Sequence, residues 1–316
     1  MSQNHPRNIA ASVRQRLRNL AQEQQEDFQS ILTRYALERF LYRLHQSEHR
    51  DRFILKGAML FTLWSNEPHR ATRDLDLLCH GDNAIAPLEQ VFQEICQTQV
   101  EDDGLDFKAE TVQGKQIKED QEYEGVRIKL NAFLTGTSTR LDLQIDIGFG
   151  DAITPQVRVA AFPTILEGFP APSLKTYPPE TVIAEKFQVM VALGIANSRM
   201  KDFYDIWYLC QNFRFEGITL SQSIQATFDR RRTLLPVEPP LALTAEFSED
   251  AAKQTQWKAF IRKGKLKVSE ETLSEIIAVL QDFLIPPTQA VAQGKKFELF
   301  WSPNELWQSD SILRSL

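Results

Sequence analysis

Acidic and apolar residues alternate in a short run about a quarter of the way along the chain, Thr72-Arg-Asp-Leu-Asp-Leu-Leu78. Successive side chains of a β-strand point to opposite faces, so Asp74 and Asp76 would share one face and the leucines the other. Two carboxylates about 6 to 7 Å apart repel each other unless a cation lies between them. Mg²⁺, which is commonly held by one or two carboxylates together with substrate phosphates, fits best. The run therefore predicts a metal-binding strand, although a half-exposed strand with two chance aspartates gives the same alternation.

Composition limits the class of protein. The chain has 316 residues, 42% hydrophobic and 25% charged, as in a globular protein long enough for two domains. We expect neither a signal peptide nor a membrane span, since no long apolar run occurs. Three scattered cysteines favour a reducing cytoplasm over a disulfide framework or a zinc site. The net charge of -6 restricts any nucleic-acid contact to local basic patches.

A third candidate carboxylate lies on a second alternating run, from Arg140 to Gly148. Its leucines and isoleucines would form one face, and Asp142, Gln144 and Asp146 the other. Asp146 is the better candidate because it precedes a turn, whereas Asp142 is also consistent with an ordinary exposed position. Asp146 could then join the first pair across neighbouring strands.

Apolar residues flank Lys56-Gly57-Ala58, which predicts a short strand or turn that leads into a helix. A glycine there lets backbone N–H groups approach a ligand closely, and a helix N-terminus favours phosphate. The glycine precedes Arg73 by sixteen residues, as a phosphate cradle would precede the paired carboxylates, with Lys56 at its lip. The alternative is a close-packed glycine beside an exposed lysine.

A lysine interrupts the apolar side of a helix predicted from Pro178 to about Leu193. The neighbours of Lys186 at three and four residues are Val182, Ile183, Val189 and Met190. Its ammonium either reaches toward solvent or a carboxylate, or it offsets charge on a triphosphate during transfer.

The next predicted helix, from Arg199 to Leu209, combines two cations and two carboxylates with bulky aromatic residues. Asp202 and Asp205 lie three residues apart on one face, and Lys201 lies four residues before Asp205. A surface ion pair is the alternative interpretation.

These segments closely resemble the AbiEii/AbiGii family of nucleotidyltransferase toxins. The likeness runs from about Tyr35 to Leu209 and is carried by Lys56-Gly-Ala58, Arg73-Asp-Leu-Asp76, Tyr177-Pro-Pro-Glu-Thr-Val-Ile-Ala-Glu-Lys186 and Asn197-Ser-Arg-Met-Lys-Asp-Phe-Tyr-Asp205. It implies an α+β protein with a polymerase-beta-like nucleotidyltransferase core, a mixed sheet with helices, followed by a helical C-terminal domain. The expected divisions are residues 1–52 as N-terminal helices packing on the core, 53–172 as the core and 173–316 as the helical domain. A proline-rich stretch, Phe162 to Pro179, would separate the last two.

The resemblance also implies roles for residues. Catalytic residues would be Asp74, Asp76, Asp146 and Lys186, with the three aspartates holding Mg²⁺ or Mn²⁺. Nucleotide-binding residues would be Lys56, Gly57, Ala58, Arg73, Arg199, Lys201, Asp202 and Asp205. Members act as toxins of bacterial toxin-antitoxin or phage-defence pairs. The chain would thus transfer a nucleotide from an NTP to an acceptor, expected to be the 3' end of tRNA, and would have a cognate antitoxin protein.

The chain departs from the superfamily at Gly57-Ala58, where many members have Gly-Ser. The alanine removes one hydroxyl hydrogen bond to phosphate, for which Lys56 or backbone N–H groups could substitute.

Two basic clusters follow these motifs. Their cations either belong to solvated helix ends or bind an RNA backbone, with Trp257 or Phe260 stacking on a base. The candidate RNA-binding residues are Arg230, Arg231, Arg232, Arg262, Lys263, Lys265 and Lys267. Two other functions stay open: a catalytically weak nucleotide-binding module, and a metal-dependent nuclease, which clustered aspartates would also serve.

Overall fold

The computed structural model describes residues 8–65, 72, 74–119, 123–264, 266, 272–303 and 305–309. The chain divides into two compact units. The first combines Met1–Gly150 with Arg158–Thr176, and the second combines Asp151–Val157 with Tyr177–Leu316. The proline-rich stretch that was expected to separate two domains thus belongs to the first unit as far as Thr176.

The first unit is built on one mixed sheet of seven strands in the order β3-β4-β5-β2-β1-β7-β6. Its strands are β1 (Phe53–Lys56), β2 (Asp74–Cys79), β3 (Leu105–Glu119), β4 (Tyr123–Leu134), β5 (Arg140–Phe149), β6 (Arg158–Ala161) and β7 (Ser173–Thr176). Its helices are α1 (Ile9–Glu23), α2 (Phe28–Gln46), α3 (Phe61–Trp64) and α4 (Ile85–Gln97). Strand β2 pairs in parallel with β5, and β1 in parallel with β7, whereas the other neighbouring strands are antiparallel.

One face of this sheet is buried because its strands alternate as the sequence predicted. Leu75, Leu77, Ile145 and Ile147 are at most 1% exposed, whereas the residues between them carry polar side chains. Helix α2 contacts β5, β7 and α4, and the ring of Phe40 stacks on a ring of α4 at 5.7 Å. Each buried leucine or isoleucine contributes about 2 kcal/mol of transfer free energy. The apolar face therefore fixes which side of the sheet carries the aspartates.

A buried ion pair holds the proline-rich stretch against α2. Glu38 and Arg39 are at most 1% exposed, and their side chains approach to 2.7 Å. Glu38 also accepts a hydrogen bond from the N–H of Ile165, at 2.6 Å, and Arg39 donates to the carbonyl of Pro170, at 2.8 Å. Side chains of the helix thus pair with backbone groups of a stretch that has no regular secondary structure at Ile165 and Pro170.

The second unit is mainly helical. It contains α5 (Pro179–Leu193), α6 (Met200–Asn212), α7 (Gly217–Arg230), α8 (Ala245–Glu249), α9 (Ala251–Gly264) and α10 (Leu273–Ala292), with the short strands β8 (Phe215–Glu216) and β9 (Phe300–Trp301). The predicted α+β class, with a mixed-sheet core and a helical C-terminal part, is confirmed. Among the described residues, no helix is long and apolar enough to cross a membrane.

The buried carboxyl group of Glu38 predicts a pH-dependent stability. Burial raises its pKa from 4.5 to about 7, although Arg39 and the N–H of Ile165 oppose the rise. The folded protein therefore binds more protons than the unfolded chain between these values, and stability falls as pH rises through this window. We expect the wild type to lose up to about 3 kcal/mol of unfolding free energy relative to Glu38→Gln, at about 1.4 kcal/mol per pKa unit. Urea unfolding of both proteins at pH 5, 6, 7 and 8 measures the difference, and a pH-independent difference would contradict it.

Candidate active site

Four charged residues form one row across four neighbouring strands of the first unit. Lys56 on β1 lies opposite Asp76 on β2, Asp76 opposite Asp146 on β5, and Asp146 opposite Arg127 on β4. Side chains directly opposite each other on neighbouring strands share a face of the sheet. In this charged row, two central carboxylates therefore have a cation on either side.

Asp74 lies on the same face of the sheet, two residues before Asp76 on β2. It lies opposite Gln144, which lies opposite Lys129 on β4. Asp74 is exposed, and Asp76 is half-buried. The pairing of β2 with β5 thus brings Asp74, Asp76 and Asp146, which are distant in the sequence, onto one side of the sheet.

Arg127 holds Asp146 with two hydrogen bonds. Its Nε and Nη2 atoms each lie 2.8 Å from a different oxygen of the carboxylate. The hydrogen bond to Asp146 raises the pKa of Arg127, and the charges of Asp146, Asp74 and Asp76 raise it further, against the opposing effect of burial. All three aspartates thus contribute to the potential at one guanidinium. The sequence analysis missed Arg127 because its partner follows from strand register, although its polar position on an alternating strand was visible.

Gly57 lies against the carboxylate of Asp76. Its φ angle is +75°, and a Cβ atom built there would be 2.0 Å from Oδ2 of Asp76. Only glycine adopts this backbone conformation without strain and leaves this space. The close approach predicted for this glycine is therefore an approach to a carboxylate of the charged row.

The segment around Gly57 has the predicted order of strand, turn and helix but differs from the predicted cradle at Lys56. Lys56 is 6% exposed and opposite Asp76, so it is neither at a lip nor an exposed lysine. The half-buried Ala58 belongs to a 3-10 turn, Gly57–Leu60, that leads into the four-residue helix α3. Arg73 lies outside the described residues. The nucleotide-binding roles of these residues stay predictions.

The second unit contains a separate cluster of buried charges. Nζ of Lys186, on α5, lies 2.5 Å from Asp202 and 2.9 Å from Asp205, both on α6. Nε of Arg199 lies 2.6 Å from the other oxygen of Asp202. Both carboxylates are fully buried, whereas Lys186 is 14% and Arg199 34% exposed. The two predicted motifs therefore meet in space, and Lys201 points outward as an exposed residue of α6.

The cations of this cluster keep Asp202 ionised. Burial alone would raise its pKa, but the charges of Lys186 and Arg199 outweigh burial and hold the pKa below its ordinary value. Buried charges without such partners would be costly. The cluster is thus a compensated network whose cationic side reaches the surface at Arg199.

The predicted RNA-binding residues have different environments. Arg230, Arg232, Arg262 and Lys263 are exposed. Arg231 is only 9% exposed, and its guanidinium lies 3.2 Å from Asp151 and donates to Gln188 at 2.9 Å. These partners favour a packing role for Arg231. Lys265 and Lys267 lie outside the described part of the chain.

Asp74, Asp76 and Asp146 offer the type of donor that a divalent metal prefers, but their side chains would have to rotate to bring three oxygens within 4.8 Å of one another. Their carboxylates are hard oxygen ligands on one face of the sheet, and the missing Cβ of Gly57 makes room for the carboxylate of Asp76. Arg127 uses both oxygens of Asp146, but a carboxylate oxygen has a second lone pair for another partner.

A different group of ligand-type side chains lies at the end of α2. Within the described residues, a nitrogen of His49 and oxygens of Glu48 and Glu94 lie within 4.8 Å of one another. The His49 to Glu94 distance is 2.7 Å, and hydrogen bonds from Gln90 and His49 lower the pKa of Glu94. This group shares no residue with the aspartates of β2 and β5. Sequence reasoning missed it because Glu94 comes from another helix.

A mixed sheet with three aspartates on its polar face, in a chain that also has a helical unit, is the arrangement that the resemblance to nucleotidyltransferase toxins implies. A family model described as nucleotidyl transferase AbiEii toxin, type IV toxin-antitoxin system, matches residues 39–279. The chain therefore belongs to the AbiEii family of nucleotidyl transferase toxins, and the resemblance read from its motifs is confirmed.

Solved structures similar to this chain include two from Helicobacter pylori. One is described as a candidate nucleotidyltransferase, is 15% identical, and gives a TM-score of 0.46 over 85% of this chain and 96% of that one. The other, JHP933, has the same identity and TM-score over 85% of this chain and 94% of that one. Among curated proteins, no sequence matches the chain.

Substitution of Gly57 tests its contact with Asp76. Gly57→Ala should lose more stability than Gly136→Ala, since both glycines have a positive φ, of +75° and +73°, but nothing lies within 4 Å of a Cβ at Gly136. The shared backbone strain cancels in the comparison, and overpacking against Asp76 adds about 1–3 kcal/mol. Urea unfolding of the two variants measures the difference. Equal losses would show that Asp76 moves away without cost.

Removal of the Lys186 charge tests the buried network. Lys186→Met leaves two fully buried carboxylates without this cation, and we expect a loss of about 3–5 kcal/mol of unfolding free energy. Lys201→Met, on the exposed side of α6, is the matched control and should change stability by less than about 0.5 kcal/mol. Similar effects of the two substitutions in chemical denaturation would argue against a compensated network.

Proposed function

We propose that this protein is a metal-dependent toxin that transfers a nucleotide from an NTP to an RNA acceptor, with the 3' end of tRNA as the expected acceptor. The observation that carries the proposal is the convergence of Asp74, Asp76 and Asp146 on one face of the sheet. Membership of the AbiEii family supports nucleotidyl transfer as the reaction. The type IV toxin-antitoxin description of that family supports a cognate antitoxin.

The three aspartates would hold Mg²⁺ or Mn²⁺. Such ions, when bound, neutralise charge on the triphosphate and stabilise the attacking and leaving oxygens of an in-line displacement. Arg127 fixes the orientation of Asp146 through its two hydrogen bonds. Lys56, opposite Asp76, offsets the repulsion among the carboxylates. The side chains of the charged row are thus arranged before the substrate binds, which lowers the reorganisation that the reaction requires.

The charge cluster of the second unit would bind the nucleotide. Asp202 and Asp205 fix Lys186, and Asp202 fixes Arg199. A cation held in this way needs little reordering to bind a phosphate, and Arg199 is the more accessible of the two. Lys201 would add a phosphate contact at the surface. Lys186 would act on the transferred group, as the family likeness implies.

The exposed cations Arg230, Arg232, Arg262 and Lys263 would bind the phosphates of the RNA. An overall charge of -6 does not attract RNA by itself, so these local cations would have to supply the attraction. Arg231, which is paired with Asp151, would contribute less than its neighbours in the sequence.

Transfer activity tests this function directly. Total tRNA is incubated with the protein, Mg²⁺ and each labelled NTP in turn, and the RNA is separated on a gel. Asp76→Ala should reduce labelling by at least about 100-fold, because it removes charge stabilisation at the reacting groups. Asp142→Ala is the matched control, since Asp142 lies on the same face of β5 but is 74% exposed and pairs with Arg140. It should keep most of the activity.

Other outcomes of this assay identify the competing functions. Shortened, unlabelled RNA would indicate a nuclease. NTP binding in calorimetry without transfer to any acceptor would indicate a nucleotide-binding module. Labelling that persists after chelation of divalent ions would contradict the role proposed for the aspartates.

A further inference from the structure

Partly exposed aromatic rings gather on one surface of the second unit, where α6 contacts α9. The ring of Tyr204 is 6% exposed, and its centroid lies 5.8 Å from Trp207, 6.4 Å from Tyr208 and 5.8 Å from Phe260. The three surrounding rings are only half-buried. We call Tyr204, Trp207, Tyr208 and Phe260 the aromatic surface.

Part of each of these three rings stays accessible, although other aromatic rings of the unit are fully buried. Phe203 on α6 and Phe247 on α8 stack at 5.3 Å and are fully buried, so α6 also contributes an aromatic residue to the core of the unit. Trp257, which is 4% exposed, supports Phe260 at 5.7 Å. The aromatic surface is therefore held in place by buried rings while it leaves apolar area in water. Aromatic rings that stay partly accessible are the kind of side chain on which nucleic-acid bases stack.

The exposed charged residues of α9 are all positive. The helix contains no Asp or Glu between residues 251 and 264, and its exposed cations are Lys258, Arg262 and Lys263. Its fourth cation, Lys253, is 6% exposed and donates to the carbonyl of Asn197. Lys263 follows Phe260 by three residues, and Lys201 precedes Tyr208 by seven. At these spacings each lysine lies on the same helix face as the ring. Both lysines are exposed.

We propose that the aromatic surface binds unpaired nucleotides of the RNA acceptor. Bases stack on Trp207, Tyr208 and Phe260, and Lys263 binds an adjoining phosphate. The assignment rests on the proposed function in that RNA is the acceptor. A single strand offers flat bases and a regular row of anions, which match exposed rings flanked by cations. A duplex hides the faces of its bases, and an acidic peptide would match the lysines alone.

Binding of short RNA to the full-length protein tests the assignment without NTP or metal. The probe is a fluorescein-labelled, eight-nucleotide oligoadenylate, compared with a blunt duplex of the same length. Fluorescence anisotropy gives the dissociation constant, and quenching of tryptophan fluorescence reports stacking near Trp207. We expect the single strand to bind at least 10-fold more tightly than the duplex and to quench the tryptophan.

Two pairs of variants separate stacking from folding. Tyr208→Leu should weaken binding about 10-fold, whereas Tyr208→Phe, which keeps the ring, should bind nearly as the wild type does. Tyr42→Leu, a half-buried tyrosine of the first unit, is the control and should leave affinity unchanged. Phe260→Leu serves as a second test if Tyr208→Leu unfolds, and thermal unfolding of every variant is compared with that of the wild type.

A further pair of variants tests the electrostatic contribution to RNA binding. Lys263→Glu should weaken binding about 5-fold and reduce the slope of log affinity against log salt concentration. Lys295→Glu, an exposed lysine elsewhere in the second unit, should do neither.

Several results would overturn the proposal. One is equal affinity for the single strand and the duplex, and another is wild-type affinity in folded Tyr208→Leu and Phe260→Leu. A third is that the variants change only the self-association of the protein in sedimentation, which would assign the surface to a second copy of the chain. The outcome is separable from the proposed function. Specific binding of the single strand without nucleotide transfer to any RNA would contradict the proposed function but not the role of the aromatic surface. Normal transfer by a Tyr208→Leu variant that no longer binds the single strand would contradict the role of the aromatic surface but not the proposed function.

Discussion

The parallel pairing of β2 with β5 is the constraint on which the candidate active site depends. It places Asp76 directly opposite Asp146 while Leu75, Leu77, Ile145 and Ile147 fill the other face. A shift of one residue would turn the aspartates into the core and the leucines into water. Unpaired carboxylates in the core would cost several kcal/mol each. Hydrophobic burial on one face thus fixes the positions of the acidic groups on the other.

Both units pair their clustered carboxylates with cations. In the first unit, Lys56 and Arg127 flank the two central carboxylates of the charged row. In the second unit, Lys186 and Arg199 balance the fully buried Asp202 and Asp205. Both clusters hold several charged groups in fixed positions. Without partners of opposite charge, these groups would repel one another or would be buried without hydration. Fixed charges of this kind are what phosphoryl chemistry requires, because its catalysis depends mainly on positioning and electrostatic stabilisation.

Surface and core residues of the second unit are interleaved along the same helices. Arg231 is buried against Asp151 and Gln188, while Arg230 and Arg232 remain exposed. On α6, Phe203 packs inward, and Tyr208, five residues later, is half-buried on the surface. The helical period of 3.6 residues separates such neighbours onto different sides. A basic or aromatic run in the sequence is therefore not one functional unit, and each side chain acquires its role from what packs against it.

Local patterns in the sequence were sufficient to predict the strands that carry Asp74, Asp76 and Asp146 and the helices that carry Lys186 and Asp202. They were also sufficient to predict the family. Alternation, helical period and motif spacing are properties of short segments, so a short window of sequence contains them. They did not determine that Arg127 would bind Asp146, that Lys56 would be buried, or that Arg231 would be enclosed. These facts depend on strand register and on packing between segments that are 19 to 80 residues apart. Such contacts form only when the whole apolar core selects one arrangement, and no short window of sequence contains that information.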